Sequence, residues 1–201
     1  MTYKELQRMS EKLEAPKDVQ KTAEKIMRKG VEKGLNQSYG RQTLAEAALQ
    51  ISARQQQYIY NEDKARQNFK KTFKQKGLHK TVKTISRKLG EYSPPITIEN
   101  YILKTVAEHD LSTNTDKALE ITRDAREKGF LNGKNPKTMS AAIIYLTGVL
   151  ENNYNSSNQV SELAQVTKPA LRNNYNHLIE KLDLIQEFVE KHPHGEKTKW
   201  S

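Results

Sequence analysis

The 201-residue chain contains no cysteine, and this absence excludes several kinds of protein. Without thiols there is no disulfide framework, no thiol catalysis and no cysteine-based zinc site. The chain also lacks any apolar run near the roughly 18 residues of a membrane span, and its N terminus lacks the apolar stretch of a secretory signal peptide. Walker loops, dinucleotide fingerprints and nucleophile elbows are missing too. We therefore predict a non-enzymatic protein with no cofactor and no membrane partner.

Histidine is scarce and offers one candidate metal site. Of the five histidines, His79 and His109 are isolated, whereas His192 and His194 form a His-x-His pair. No cluster of carboxylates accompanies that pair, and metal sites need several such ligands. We predict no metal site and interpret residues 187–201 as a polar tail.

Acidic residues are too few to balance the basic ones, and the imbalance lies in the first half of the chain. The net charge is +10, from 34 Lys and Arg against 24 Asp and Glu. Residues 1–93 hold 21 basic and 10 acidic residues, whereas residues 94–201 hold 13 and 14. An uneven positive charge is typical of a protein that binds a polyanion such as nucleic acid. A solvated basic surface is the alternative interpretation.

Long stretches of period-two alternation are absent as well, so we expect no sheet. Instead, short segments recur 95 residues apart: Ala23-Glu-Lys-Ile26 returns as Ala118-Leu-Glu-Ile121, and Glu32-Lys-Gly-Leu35 returns as Glu127-Lys-Gly-Phe130. Two consecutive prolines at 94 and 95 interrupt any helix between the copies. The sequence predicts an all-α protein with two tandem domains over residues 1–90 and 91–186. We expect five helices in each domain, the last two forming a helix-turn-helix.

Helix boundaries are clearest in the second repeat. Its third helix begins at Pro136 and is apolar nearly all round, which predicts a buried central helix. Ser156 or Ser157 and then Thr167 are good N-caps for the fourth and fifth helices. The first two helices are predicted over 96–108 and 115–129. In the first repeat, helices are predicted over 16–33, 41–57, 62–75 and 78–89.

The fifth helix of the second repeat has one apolar stripe and one polar face. Leu171, Tyr175, Leu178 and Leu182 recur at helical spacing and should point to the core. The first turn of a recognition helix reaches base edges, where Arg can bond guanine and Asn can bond adenine in a bidentate manner. The predicted base contacts are Lys168, Pro169, Arg172 and Asn173, with a phosphate contact from Thr167. The alternative is that Arg172 forms only a surface ion pair.

A second cationic segment lies in the first repeat. Between residues 64 and 88 there are ten basic residues and no acidic one, with apolar residues spaced on either side of Gly77 as in a second helix-turn-helix. Each phosphate that such a surface neutralises releases counterions, which favours DNA binding. A solubilising face is the alternative. The predicted phosphate contacts are Lys70, Lys71, Lys74, Lys76, His79, Lys80 and Lys83.

Two motifs resemble a known family. The helix from Pro136 through Ala141-Ala142 to Tyr145, followed by Val166-Thr167 and Arg172-Asn-Asn-Tyr175, is similar to the second cyclin-like repeat of archaeal transcription factor B, a relative of TFIIB. The resemblance covers residues 3–182. It implies two cyclin-like domains, here without the family's N-terminal zinc ribbon. The implied partners are double-stranded promoter DNA and TATA-binding protein, with RNA polymerase as a further candidate.

The resemblance also implies roles for single residues. The family's apolar base contact and its arginine correspond to Pro169 and Arg172, in a repeat that reads an element upstream of the TATA box. A Gly-Arg pair near DNA in the first repeat corresponds to His79 and Lys80. The chain departs from the family at Pro169, where Val or Thr is usual. It departs again over residues 59–64, which replace an Arg-Thr-x-x-Glu-Ile-Ala segment.

Three functions follow as candidates. The first is the promoter-binding core of a general initiation factor. The second is a regulator or repressor without the ribbon, carried by a virus or plasmid. The third is a cyclin-like adaptor that binds only protein. We expect a monomer when free and a place in the archaeal cytoplasm, at the nucleoid.

Overall fold

The computed structural model describes residues 3–60, 78–109, 111–153 and 155–191, which form helices and turns without a strand. The chain divides into two compact units, Met1–Ile96 and Thr97–Ser201, each with its own apolar core. The predicted all-α class is confirmed. The division lies six residues beyond the predicted one at residue 90. None of the described helices is long and apolar enough to cross a bilayer.

The first unit is built around one buried helix, α4. Every residue of α4 from Leu44 to Ala53 is buried, including the polar Glu46, Gln50 and Ser52. The small alanines among the larger side chains let neighbouring helices pack on all sides. The helix predicted over 62–75 lies outside the described residues, and the first and third helices had no counterpart in the sequence prediction. The helices are α1 (Lys4–Lys12), α2 (Lys17–Glu32), α3 (Leu35–Tyr39), α4 (Arg41–Gln55) and α5 (Leu78–Leu89).

The second unit repeats this plan around α8. Pro136 occupies its first turn, Asn135 caps it, and every residue from Met139 to Leu150 is buried, as the apolar sequence predicts. All five predicted helices of this repeat are present within a few residues of their predicted bounds. They are α6 (Ile98–His109), α7 (Thr115–Glu127), α8 (Pro136–Leu150), α9 (Ser157–Leu163) and α10 (Lys168–Lys181), and a sixth helix, α11 (Ile185–Lys191), follows them.

Helix ends show that the two units are copies of one fold. In each unit, the second, the central and the last helix of the repeat end in a residue with left-handed backbone, which releases the chain from the helix. These residues occur at equivalent positions in the two units. The pairs are Gly34 and Gly129, Gln57 and Asn152, and Gly90 and Asp183. A tertiary contact repeats too, because Lys33 Nζ donates to the Lys88 carbonyl at 2.9 Å and Lys128 Nζ donates to the Lys181 carbonyl at 3.1 Å.

Helix α11 corrects the interpretation of residues 187–201 as a polar tail. Phe188 is fully buried, and its ring centroid lies 5.8 Å from that of Tyr175, which lies 4.8 Å from that of Tyr145. The prediction is therefore wrong over 187–191. The sequence signal was weak because one inward aromatic on a seven-residue helix makes no period, and its apolar neighbours Ile185 and Val189 are exposed. Residues 192–201 lie outside the described residues.

Candidate nucleic-acid interface

A tight turn between α9 and α10 fixes where α10 begins. Gln165 adopts a left-handed backbone, and the Val166 N–H donates to the Ser161 carbonyl at 2.9 Å, which closes the end of α9. Two residues later Thr167 is the N-cap, whose side-chain oxygen accepts from the Ala170 N–H at 3.3 Å. The helix-turn-helix predicted from the sequence is present in the second unit.

The buried side of α10 sets its rotation about its own axis. Leu171, Tyr175, Leu178 and Ile179 are each at most 1 % exposed, and Leu182 beyond the helix is half-buried. The predicted apolar stripe is therefore confirmed. Since these side chains pack against α8 and α11, the opposite side of α10 must face away from the core.

The four predicted base contacts lie together in the first two turns of α10. Pro169 and Asn173 are exposed, whereas Lys168 and Arg172 are half-buried at the edge of the same face. Thr167 is exposed, and its oxygen is engaged as the cap while its hydroxyl hydrogen remains able to point to a phosphate. This placement is compatible with major-groove contact, and contact itself stays a prediction.

The first turn of α8 lies beside this site, and the sequence prediction missed it. Lys137 Nζ is 3.2 Å from Gln165 Oε1, so the start of the central helix meets the turn that precedes α10. Lys134 Nζ lies 4.7 Å from the ring centroid of Phe130. The ring centroid of Phe130 lies 6.5 Å from that of His177 in α10. The cap and the proline in the sequence predict where α8 begins, but not that Lys137 lies beside the turn before α10.

The helix N-termini of this unit differ in their charge. The first turns of α8, α9 and α10 contain no Asp or Glu. By contrast, the first turns of α6, α7 and α11 contain Glu99, Asp116 and Glu187. A helix N-terminus carries roughly half a positive charge, which a carboxylate in the first turn offsets. The three termini without carboxylates keep their positive potential, which favours an anionic ligand.

In the first unit, the described part of the cationic segment is α5. Val82 and Ile85 are fully buried, whereas Lys80 and Lys83 are exposed. Arg87 and Lys88 are exposed as well, so α5 presents a face that is cationic throughout. The backbone of His79 belongs to α5, but its side chain lies outside the description. Four predicted phosphate contacts lie outside the described residues: Lys70, Lys71, Lys74 and Lys76.

One carboxylate in the first unit is held by a network of its own. Lys29 Nζ donates to Glu91 at 2.8 Å, and Gln55 Nε2 donates to it at 3.2 Å. The Lys29 bond, helped by Gln55, holds the pKa of Glu91 below its ordinary value of 4.5, although burial opposes this shift. Gln55 also donates to the Tyr92 carbonyl at 2.8 Å. These bonds fasten the segment after α5 to its own unit.

In the described parts of both units, no group of three or more His, Asp or Glu side chains could hold a metal ion.

Known proteins are similar to this chain over most of its length. The transcription factor TFIIB repeat matches residues 93–181. Transcription initiation factor IIB 1 of Thermoplasma volcanium is 33 % identical over 183 residues, which are 90 % of this chain and 57 % of that protein.

Other archaeal relatives match to the same degree. Transcription initiation factor IIB of Methanothermococcus thermolithotrophicus is 32 % identical over 181 residues, 90 % of this chain and 53 % of that protein. That of Archaeoglobus fulgidus is 33 % identical over 181 residues, 90 % of this chain and 55 % of that protein. The chain thus spans about half the length of the curated relatives it matches.

Proposed function

We infer that this chain, which belongs to the TFIIB family, is the promoter-binding core of an archaeal transcription initiation factor. The observation that carries the proposal is the capped start of α10, where Lys168, Pro169, Arg172 and Asn173 share one end of a helix whose other side is locked into the core. That arrangement suits the insertion of a helix into the major groove of DNA.

In this proposal the second unit reads sequence upstream of the TATA box. Arg172 bonds guanine O6 and N7, Asn173 bonds an adenine, and the ring of Pro169 meets a thymine methyl. Phosphates at one edge of the groove contact Thr167 and Lys137, which lie together at the turn before α10 and at the start of α8. Phosphate contacts fix the register of the helix, and base contacts then specify the sequence.

The first unit supplies affinity without sequence preference. Lys80 and Lys83 project from α5 as point charges, which attract phosphates but do not form the rigid two-pronged bonds that distinguish bases. TATA-binding protein is the proposed neighbour of this unit, and RNA polymerase is a further proposed partner. When TATA-binding protein bends the promoter, both units can contact the same duplex.

A pair of variants tests this division of roles. Arg172→Ala should cost about 1–3 kcal/mol of binding free energy and relax the upstream sequence preference, because a base contact is lost. Lys80→Ala should weaken binding to all sequences and reduce the slope of log K against log salt by about one. Lys181→Ala, at the far end of α10, is the matched control and should change neither quantity.

Fluorescence anisotropy on duplexes with native and scrambled upstream flanks measures all three variants. Equal effects of Arg172→Ala and Lys80→Ala on sequence preference would contradict the assignment of base contact to α10. Wild-type protein that binds no duplex at low salt would instead support the protein-only adaptor.

A further inference from the structure

An apolar groove lies on the second unit beside α7 and α11, at the C-terminal ends of α8 and α10. Its floor is formed by Ile121, Leu150, Leu182 and Leu184. The volume of the groove is about 210 Å³. Since an apolar cavity of roughly 150 Å³ is enough to hold benzene, the groove has room for one leucine or phenylalanine side chain.

The groove is separate from the proposed DNA-binding site. Leu182 follows the C-terminal end of α10, whereas Pro169 is near its N-terminal end. At 1.5 Å of rise per residue the two ends are about 20 Å apart. The groove therefore remains accessible when the N-terminal end of α10 meets DNA.

The rim of the groove has more carboxylates than its lysines can neutralise. Asp124 and Glu127 line the groove, are both exposed and have no ion pair among the described residues. Of the two arginines in α7, Arg126 pairs with Glu99, and neither lines the groove. The lysines beside the groove already have carboxylate partners: Lys117 pairs with Glu120 at 3.2 Å, Lys128 with Asp183 at 3.4 Å and Lys191 with Glu187 at 3.0 Å.

The equivalent place in the first unit shows what the fold accommodates there. Counted from the paired left-handed helix ends, the three equivalent positions are Lys29 for Asp124, Gln55 for Leu150 and Glu91 for Leu184. In the first unit these side chains bond to each other, and Gln55 also donates to the Tyr92 carbonyl, which fastens a non-helical chain segment. In the second unit the same place has two leucines and an unpaired carboxylate, which suits a segment with an apolar side chain and a positive charge.

The reversal of charge extends along the whole helix. Three positions spaced four residues apart are lysines in α2 and carboxylates in α7: Lys21 and Asp116, Lys25 and Glu120, Lys29 and Asp124. Charge complementarity selects partners by sign. This face of α7 therefore attracts a cationic segment, although the net charge of the chain is +10.

We propose that the groove binds an extended basic segment of a partner protein. One large apolar side chain of that segment lies on the leucine floor, and the lysines or arginines that flank it lie beside Asp124 and Glu127. Burial of the apolar side chain supplies affinity, and the carboxylates of the rim reject acidic segments. The proposal goes beyond DNA binding and does not depend on it.

A titration of the full chain with short peptides, followed by proton–nitrogen correlation NMR spectra, measures affinity and location together. The probe is the peptide acetyl-Arg-Lys-Phe-Leu-Arg-Lys-amide. One control peptide has Glu and Asp as flanks, and another has Ser-Gly as its centre. We expect the probe to shift the amide signals of Asp124, Glu127 and Leu184 with a Kd below about 1 mM. Each control peptide should bind the groove at least about tenfold more weakly, because one is repelled by the rim and the other lacks the apolar side chains.

A pair of double variants separates the rim from net charge. Asp124→Lys with Glu127→Lys should weaken binding of the probe at the groove at least about tenfold and transfer the preference to the acidic peptide. The matched control is Glu24→Lys with Glu32→Lys, which makes the same change of charge at exposed positions of α2 in the first unit. Its affinity for the probe should stay within about twofold of that of the wild type.

Three results would contradict the proposal. The first is the absence of shifts at the groove with about 1 mM probe, or equal affinity for all three peptides. The second is equal weakening by both double variants, which would show a response to net charge alone. The third is dimerisation in sedimentation experiments that Asp124→Lys with Glu127→Lys abolishes, which would assign the groove to a second copy of the chain.

Discussion

Replacement of Phe188 by alanine should strongly destabilise the second unit. The ring is fully buried and joins α11 to Tyr175 of α10, which in turn stacks on Tyr145 of α8. Truncation of a buried phenylalanine costs about 3–5 kcal/mol, and the lost aromatic pair is included in that range. A domain of about 100 residues loses roughly 4–8 °C of melting temperature per kcal/mol, so the expected shift is at least about 12 °C.

Differential scanning calorimetry of the full chain measures this shift. The control is Val189→Ala on the same helix, where the side chain is 47 % exposed and the expected change lies within about 0.5 kcal/mol. The result would contradict this reasoning if the free energy of unfolding of Phe188→Ala lay within about 1 kcal/mol of that of the wild type. The aromatic stack would then not hold α10, and residues 187–191 would be a dispensable tail.

Three further substitutions test an ion pair, a helix cap and a left-handed helix end. Glu91→Gln should lose up to about 1 kcal/mol at neutral pH. Because the folded-state pKa of Glu91 is lowered, the wild-type advantage in denaturation series is complete above the ordinary pKa and should be lost as the pH falls through the lowered, folded-state pKa. Thr167→Ala should cost about 1 kcal/mol by urea denaturation, with Thr167→Ser near wild type, since the serine oxygen can still cap α10; equal losses would refute the cap. Asp183→Gly should raise stability by up to about 1 kcal/mol because its φ of 60° favours glycine, as at the equivalent Gly90. The substitution also removes the ion pair of Asp183 with Lys128 at 3.4 Å, but that pair is exposed and contributes little; a lower melting temperature would contradict this.

The sequence was sufficient to predict a helix and its orientation where the helix has a strong apolar period or a clear cap. The apolar run after Pro136 predicts the buried α8, and Thr167 followed by Leu171, Tyr175 and Leu178 predicts both the start and the rotation of α10. The placement of the predicted base-contact residues on one face follows from the same pattern. What they bind is a separate matter of chemistry, which the pattern does not contain.

Features that depend on contacts between distant residues could not be predicted. The pairing of Lys137 with Gln165 brings the start of α8 to the turn of the helix-turn-helix across 28 residues, and no local pattern records it. The burial of Phe188 depends on a space that α8 and α10 create together. The left-handed helix ends at Gln57 and Gln165 could not be predicted from the sequence either, because glutamine is not a typical residue for that conformation.

A titration on a TATA-containing duplex, with and without an archaeal TATA-binding protein, tests promoter binding by this chain. The upstream flank should be either intact or scrambled, at two salt concentrations. We expect a cooperative complex of the three components that weakens when the upstream flank is scrambled, because α10 contacts bases there. Salt-sensitive binding to either duplex, unchanged by TATA-binding protein and by the flank, would contradict it and show that the chain binds phosphates alone.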